Sequence, residues 1–366
     1  MKRAGSRSAI IAVMLLGLLI FSVAYYAWNT GSDIFQPVSP AGQGKTISIE
    51  ISKGELTSQI ADALQQKGLI RNALAFRIWA RIKGLDTHLQ AGIYHKLNTS
   101  MTISDIIDQL LNAQPDAIRV VIPEGWRIEQ IALRFANSGL VRFNQQDFLK
   151  FTKNVTQFPD AGKYPVLKVL PQGQHSMEGL LFPASYEVPV DSTASDVIGL
   201  MLKATNDTIQ QNNLVQLAQQ HQMNLYQMLT LASIVERETL FQADRGNIAS
   251  VYWNRLYRPN SETVGLLQAD PTVQYARDTQ TPPQLYWAHL TDSGGNIAPN
   301  SPWNTYTNKG LPPTPICSPG LASMLAASAP PSTNYYFFLA KPDGHSVFEP
   351  TLAKFTQDQQ KYLSGQ

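Results

Sequence analysis

Apolar positions along this chain first form one unbroken run and then a series of interrupted ones. From Ala9 to Trp28 the chain reads AIIAVMLLGLLIFSVAYYAW, without a charge. An α-helix needs ~20 apolar residues to cross a hydrocarbon core, and this run supplies them. Lys2, Arg3 and Arg7 precede the run, and no Lys or Arg follows before Lys45. The positive-inside bias then keeps residues 1–8 cytoplasmic and exports everything after Trp28. The run exceeds the ~7–15 residues of a signal-peptide core. It also ends on Tyr25, Tyr26 and Trp28, which suit a membrane–water interface. We therefore expect an uncleaved transmembrane helix over 9–28 and a single-pass protein of the plasma (inner) membrane. Residues 29–46, rich in Gly, Ser, Pro and Gln, read as a tether.

Beyond the tether the apolar spacing alternates between strand-like and helical. Ile49 to Leu69 (IEISKGELTSQIADALQQKGL) resembles Val120 to Leu140 (VVIPEGWRIEQIALRFANSGL). Gly54 aligns with Gly125, Gln59 with Gln130, Ile60 with Ile131, Ala61 with Ala132, Gly68 with Gly139 and Leu69 with Leu140. Each copy reads as a short strand, a Gly-containing turn, an amphipathic helix and a Gly stop. Between the copies we expect a helix near 72–83, a strand from Gly92 to His95 and a helix from Thr102 to Leu111. Thr102 and Asp105 are placed to form a capping pair. Residues 47–140 thus look like small α+β units of βααβ type, an arrangement that resembles LysM-type glycan-binding domains. The alternative is an accidental likeness, since strand–turn–helix is a common unit.

Residues 141–205 connect this region to the rest, with a loop-like stretch over Phe158 to Gln174 and a helix over Asp191 to Ala204. Helical spacing dominates from Thr205 to Leu240. A polar, Pro-rich region spans Thr279 to Pro319, and a last helix is expected over Leu352 to Leu363. The 366 residues are too many for one ordinary domain. We read 206–366 as the catalytic domain and the whole as α+β.

Composition narrows the chemistry. Twenty-nine basic against 27 acidic residues leave a formal charge of +2, which provides no basic footprint for nucleic acid. One cysteine, Cys317, excludes an intrachain disulfide and a cysteine metal site. Six histidines lack any HExxH spacing, and no metal is expected. No GxSxG elbow is present.

The segment with candidate chemistry is LYQMLTLASIVERETL, from Leu225 to Leu240. Met228, Leu231, Ala232 and Val235 share one helical face, and the helix runs into Glu236, Arg237, Glu238 and Thr239. A carboxyl against apolar neighbours loses hydration of its charged form, which suits it to act as a general acid. Glu236 and Glu238 lie ~200° apart on a helix and cannot both face one groove. The pattern does not choose between them, and pairing of either with Arg237 or Arg245 would make it structural. Glycoside hydrolases that use two carboxylates need both across the scissile bond. Asp244, Asp270, Glu178 and Glu187 are open as partners, and sequence cannot place them.

Several motifs in order resemble the YceG-like (MltG) family of endolytic murein transglycosylases. They are EGLLFPASYEV (Glu178 to Val188), LASIVERET (Leu231 to Thr239), VYWNRL (Val251 to Leu256), LQADPTVQYA (Leu267 to Ala276), WNTYTNKGLPPTPICSPG (Trp303 to Gly320) and YYFFLAKPDGHSVFEPTLAKF (Tyr335 to Phe355). The resemblance spans nearly the whole chain. It implies Glu238 as the catalytic acid, with Glu238-Thr239 similar to the Glu-Ser pair of other lytic transglycosylases. It also implies a LysM-like region ahead of the catalytic domain.

The implied reaction cleaves the bond between N-acetylmuramic acid and N-acetylglucosamine in nascent glycan strands. It leaves 1,6-anhydro ends and terminates strand elongation. Water is not the nucleophile, so one carboxyl serves as acid and then as base. Gln268, Asn304 and Tyr306 are the expected substrate contacts: two amides for hydroxyl and acetamido groups, and a ring for a sugar face. Asp270-Pro271 is expected to shape the backbone, Arg255 to be a buried ion-pair member, and His345 to be structural. Peptidoglycan strands and the membrane are the expected partners, with peptidoglycan synthases suggested by the family's role alone. No cofactor is implied. Two other readings compete: a non-catalytic peptidoglycan-binding scaffold, which would tolerate loss of Glu238, and a hydrolytic muramidase, which would leave reducing ends.

Overall fold

A computed structural model describes residues 33–52, 54–84, 92–112, 117–290 and 300–363. The transmembrane helix expected over 9–28 lies outside these residues, as do the tail 1–8 and the start of the tether. No helix among the described residues is long and apolar enough to cross a membrane. The fold is mixed α+β. The described residues divide into two compact units: one up to Ala117 together with Pro189–Asp191, the other holding the remainder.

The first unit has the order βααβα. Strands β1 (Thr46–Ile51) and β2 (Gly92–Asn98) pair antiparallel, with a register shift between Ile47 and Ile49. Helices α1 (Thr57–Gln66) and α2 (Ala73–Ile82) lie between the strands in sequence, and α3 (Ile103–Asn112) follows β2. Strand alternation and helical spacing deliver Ile49, Ile51, Ile60, Leu64, Phe76, Leu97, Ile106 and Leu110 to one core. Local chemistry sets the helix starts. Gln59 Oε1 accepts from the Leu56 backbone N–H at 2.9 Å. Thr102 and Asp105 cap each other, with Asp105 N–H on Thr102 Oγ1 at 3.1 Å and Thr102 N–H on Asp105 Oδ2 at 3.0 Å.

The second copy of the sequence likeness folds into the second unit. Strand β3 (Ala117–Val121) pairs with β4 (Ser185–Pro189), and α4 (Ile128–Ala136) follows β3. The aligned residues do the same work in both copies. Gln130 Oε1 accepts from the Arg127 N–H at 3.2 Å, as Gln59 does from Leu56. Gly54 and Gly125, and Gly68 and Gly139, all adopt positive φ, which glycine tolerates without steric cost.

Helix α5 (Gln145–Lys153) was not expected from the spacing. The stretch read as a loop over 158–174 contains short 3₁₀ turns at Ala161–Lys163 and Pro165–Val169. The helical region resolves into α6 (Ala194–Gln211), α7 (Leu214–Gln220) and α8 (Leu225–Glu238), then α9 (Gln242–Tyr257) and α10 (Asp270–Gln280). Helix α11 (Leu321–Ser328), a hairpin of β5 (Phe337–Ala340) and β6 (Ser346–Glu349), and α12 (Leu352–Leu363) complete the unit. The polar Pro-rich region has no helix or strand among its described residues from 282 to 319.

Helix α8 is the centre of this unit. Tyr226 and every residue from Met228 to Glu236 are buried, so the helix is enclosed all round rather than on one face. It packs against α7, α9, α10 and α11. Asn224 caps it, its Oδ1 accepting from the Gln227 N–H at 2.8 Å. The helix ends where Thr239 turns extended, and Leu240 beyond it is 94% exposed.

Candidate active site

The two glutamates that the spacing left equivalent have different surroundings. Glu236 is buried; Arg245 Nη2 donates to its Oε1 at 3.1 Å and the Gly320 backbone N–H to its Oε2 at 2.9 Å. Gly320 approaches closely enough that a Cβ there would lie 1.9 Å from Glu124 Oε1. Glu236 is therefore an internal ion-pair member. Glu238 is half-buried at the last residue of α8 and, among the described residues, has no ion-pair partner. Among the described residues its side chain takes one hydrogen bond, from the Tyr252 hydroxyl on α9, which donates to Oε1.

Loss of hydration pushes the Glu238 carboxyl up to about 7. The Tyr252 hydrogen bond pulls the other way, the charge of Asp270 pushes it up, and Arg255 and Arg237 pull it down. The C-terminal pole of α8 also disfavours negative charge. A carboxyl poised near neutral pH can give a proton and take one back.

Three further segments meet Glu238. Arg255 on α9 is buried, and its guanidinium donates to the carbonyls of Tyr336 (2.7 Å) and Leu267 and to Gln268 Oε1 at 3.4 Å. The expected ion pair of Arg255 is thus corrected: its partners are carbonyls and an amide, which leaves its charge free to act on Glu238. Gln268 is half-buried with φ of 52°, a sparsely populated region for a residue with a Cβ and one that clusters at functional sites. Its N–H donates to the Thr305 carbonyl at 3.1 Å. The Ala269 N–H reaches Thr305 Oγ1 at 3.0 Å, so residues 267–272 and 304–306 are joined.

Tyr306 is 44% exposed, and its hydroxyl donates to Asp270 Oδ1 at 2.5 Å. Asn304 lies inside the turn instead, with its Oδ1 accepting from the Tyr306 N–H at 3.0 Å. The structure therefore brings together Glu238, Gln268 and Tyr306, with Asn304 behind them. Sequence reasoning gave Tyr252 no role; it left Asp270 open as a partner carboxylate and gave Asp270-Pro271 a part in shaping the backbone. The signal of Tyr252 is visible only in hindsight, as a polar group inside the VYWNRL motif.

Comparison with known proteins places this geometry in a lineage. A model of the YceG-like family matches residues 49–361. The chain belongs to the YceG-like family. The endolytic murein transglycosylase of Bacillus subtilis strain 168 is 32% identical over 348 residues, covering 93% of this chain and 91% of that protein. The protein of the same name from Streptococcus pneumoniae strain D39 is 28% identical over 361 residues, and the match spans 62% of its length. A crystal structure of a YceG-like protein from Listeria monocytogenes is similar at a TM-score of 0.55 and 32% identity, covering 86% of this chain and 99% of that one.

Other motif residues of this YceG-like chain are structural. Glu178 is 2% exposed, accepting from the Ile128 N–H at 3.2 Å and the Tyr275 hydroxyl at 3.3 Å. Burial pushes its carboxyl up to about 8, with the Glu129 charge adding to the effect. The adjacent Arg127 guanidinium sits 4.1 Å over the Tyr275 ring. His345 packs on Phe241 with the rings tilted by 35° and 4.1 Å between centroids, and its Nδ1 lies 3.7 Å from Asp244 Oδ2.

Proposed function

We propose that this chain is an endolytic peptidoglycan lytic transglycosylase in which Glu238 is the acid and then the base. The observation that carries the reading is the state of Glu238: a half-buried carboxyl, unpaired with any cation among the described residues and held near pH 7, in a chain whose relatives bear that activity in their names. Protonated Glu238 donates to the oxygen linking N-acetylmuramic acid to N-acetylglucosamine, and the C1–O bond breaks with oxocarbenium character. The ionised Glu238 then takes the proton of the muramoyl 6-hydroxyl as that oxygen bonds to C1. The 1,6-anhydro ring closes, and Glu238 is again protonated. Gln268 and Tyr306 contact the sugars in this reading, and Asn304 braces Tyr306 from behind. Tyr252 orients the carboxyl.

The same reading makes the βααβ part of the first unit a LysM-like glycan-binding module and residues 9–28 a membrane anchor, with the catalytic unit exported. Nascent strands near the membrane would then be the substrate and peptidoglycan synthases the neighbours. The test digests purified glycan strands with the full-length protein and with Glu238→Gln, and analyses the new ends by mass. Anhydro ends from the wild type, lost by about 10²–10⁴-fold in the variant, are expected. Ends heavier by one water would indicate a muramidase, and equal behaviour of the two proteins would indicate a binding scaffold.

A further inference from the structure

Four carboxylates were open on sequence grounds as partners for Glu238, and the structure commits three of them elsewhere. Asp244 accepts from the Ser346 N–H at 2.8 Å and faces His345. Glu178 is enclosed at the start of α4. Glu187 stands on β4 with Arg119 at 3.8 Å. Asp270 remains. It is exposed at the first position of α10, the pole of a helix that favours a carboxylate. One of its oxygens takes the Tyr306 hydroxyl at 2.5 Å. The strained Gln268 and the Thr305 contacts fix the backbone that carries it.

We propose that Asp270 is a positioning residue of the reaction, a fixed carboxylate that holds Tyr306 at the site and sets a negative charge beside the Glu238 carboxyl. This rests on the reading of Glu238 as the acid and base. The two carboxyls sit at opposite helix poles, Asp270 at the N-terminus of α10 and Glu238 at the C-terminus of α8. The α8 pole disfavours a negative charge on Glu238, which suits that group to carry the proton. The groups facing Glu238 are Tyr252 and Arg255 from α9, Arg237 from α8, Asp270 from α10 and Tyr306 from the loop after residue 300. Loss of hydration is the largest influence on Glu238 and favours its protonated form; Tyr252 and the two arginines favour the carboxylate, and the charge of Asp270 adds to the effect of burial. Its charge serves both halves of the cycle: it keeps the proton on Glu238 until the leaving oxygen needs it. It then makes the ionised Glu238 a stronger base toward the 6-hydroxyl.

The test measures anhydro-end formation against pH for the full-length protein and for Asp270→Asn, Asp270→Glu and Tyr306→Phe, with folding followed by circular dichroism. Glu238 must be protonated to start the reaction, so activity falls as pH rises through its pKa. Removing the Asp270 charge should move that basic limb to lower pH by about half a unit or more. It should lower kcat by about 10-fold, with KM changed less than about 3-fold. Asp270→Glu should restore the limb, and Tyr306→Phe should lower kcat while leaving the limb in place. Asp270→Asn with kcat and limb both at wild-type values would overturn the proposal. So would an Asp270→Glu protein that is folded but behaves like Asp270→Asn. A wild type that forms no anhydro ends would overturn the reading of Glu238 itself, and this proposal with it.

Discussion

At the scale of single residues, the deciding contacts are distant in sequence. Helical periodicity separates Glu236 from Glu238 by ~200° but attaches no partner to either. Arg245 and Gly320 make Glu236 structural, and Gly320 lies 84 positions away. The family motif singled out Glu238; the residue pattern alone did not. Arg255 illustrates the same limit, since a basic residue in a motif reads as half of an ion pair until its carbonyl partners are seen. Glu178 carries a prediction at this scale. Its carboxyl is held at about 8 in the folded protein against an ordinary 4.5. Between those values the native state keeps a proton that the unfolded chain releases, so stability is full below about 4.5 and falls as pH rises through about 8. Glu178→Gln should flatten the decline of the melting temperature between pH 5 and pH 8.5, as followed by circular dichroism at matched ionic strength. An unchanged slope would show that Glu178 does not hold that proton.

At the scale of elements, amphipathic helices were legible and the central one was only half so. The first-unit helices and the last helix appear within a residue or two of their expected places, because apolar spacing and the Thr102–Asp105 cap are local signals. Helix α5 went unread: its Phe148 is the one fully buried aromatic in a polar stretch, QQDFLKFTK. The apolar face marked on α8 was real, but the helix is enclosed on every side. Its buried hydroxyls, Thr230 and Ser233, donate on their own helix to the carbonyls of Tyr226 and Thr230, and Ser233 Oγ also accepts from the Ile316 N–H at 3.0 Å, so these polar residues are buried with their hydrogen bonds made. Leu229 and Leu231 point ~200° apart on this helix, and both are fully buried. Truncation of either to alanine should cost about 2–5 kcal/mol, read as a lowered urea midpoint. A helix buried on one face only would lose little from one of the two.

At the scale of the whole molecule, the mixed α+β class was legible. Each copy of the strand–turn–helix likeness carries its own local code of glutamine and glycine positions. That the two copies belong to different units was not legible, because it depends on β3 pairing with β4 some sixty residues later. The family match runs through both units, from residue 49 to 361, which ties the glycan-binding and catalytic proposals to one chain. The central claim is that the sugar's own 6-hydroxyl, and not water, closes the reaction on Glu238. The most direct measurement runs the digestion in water enriched in heavy oxygen and weighs the new muramoyl ends. Ends without the label, each lighter than a hydrated end by one water, are the expected result. Heavy oxygen built into those ends as they form would contradict it.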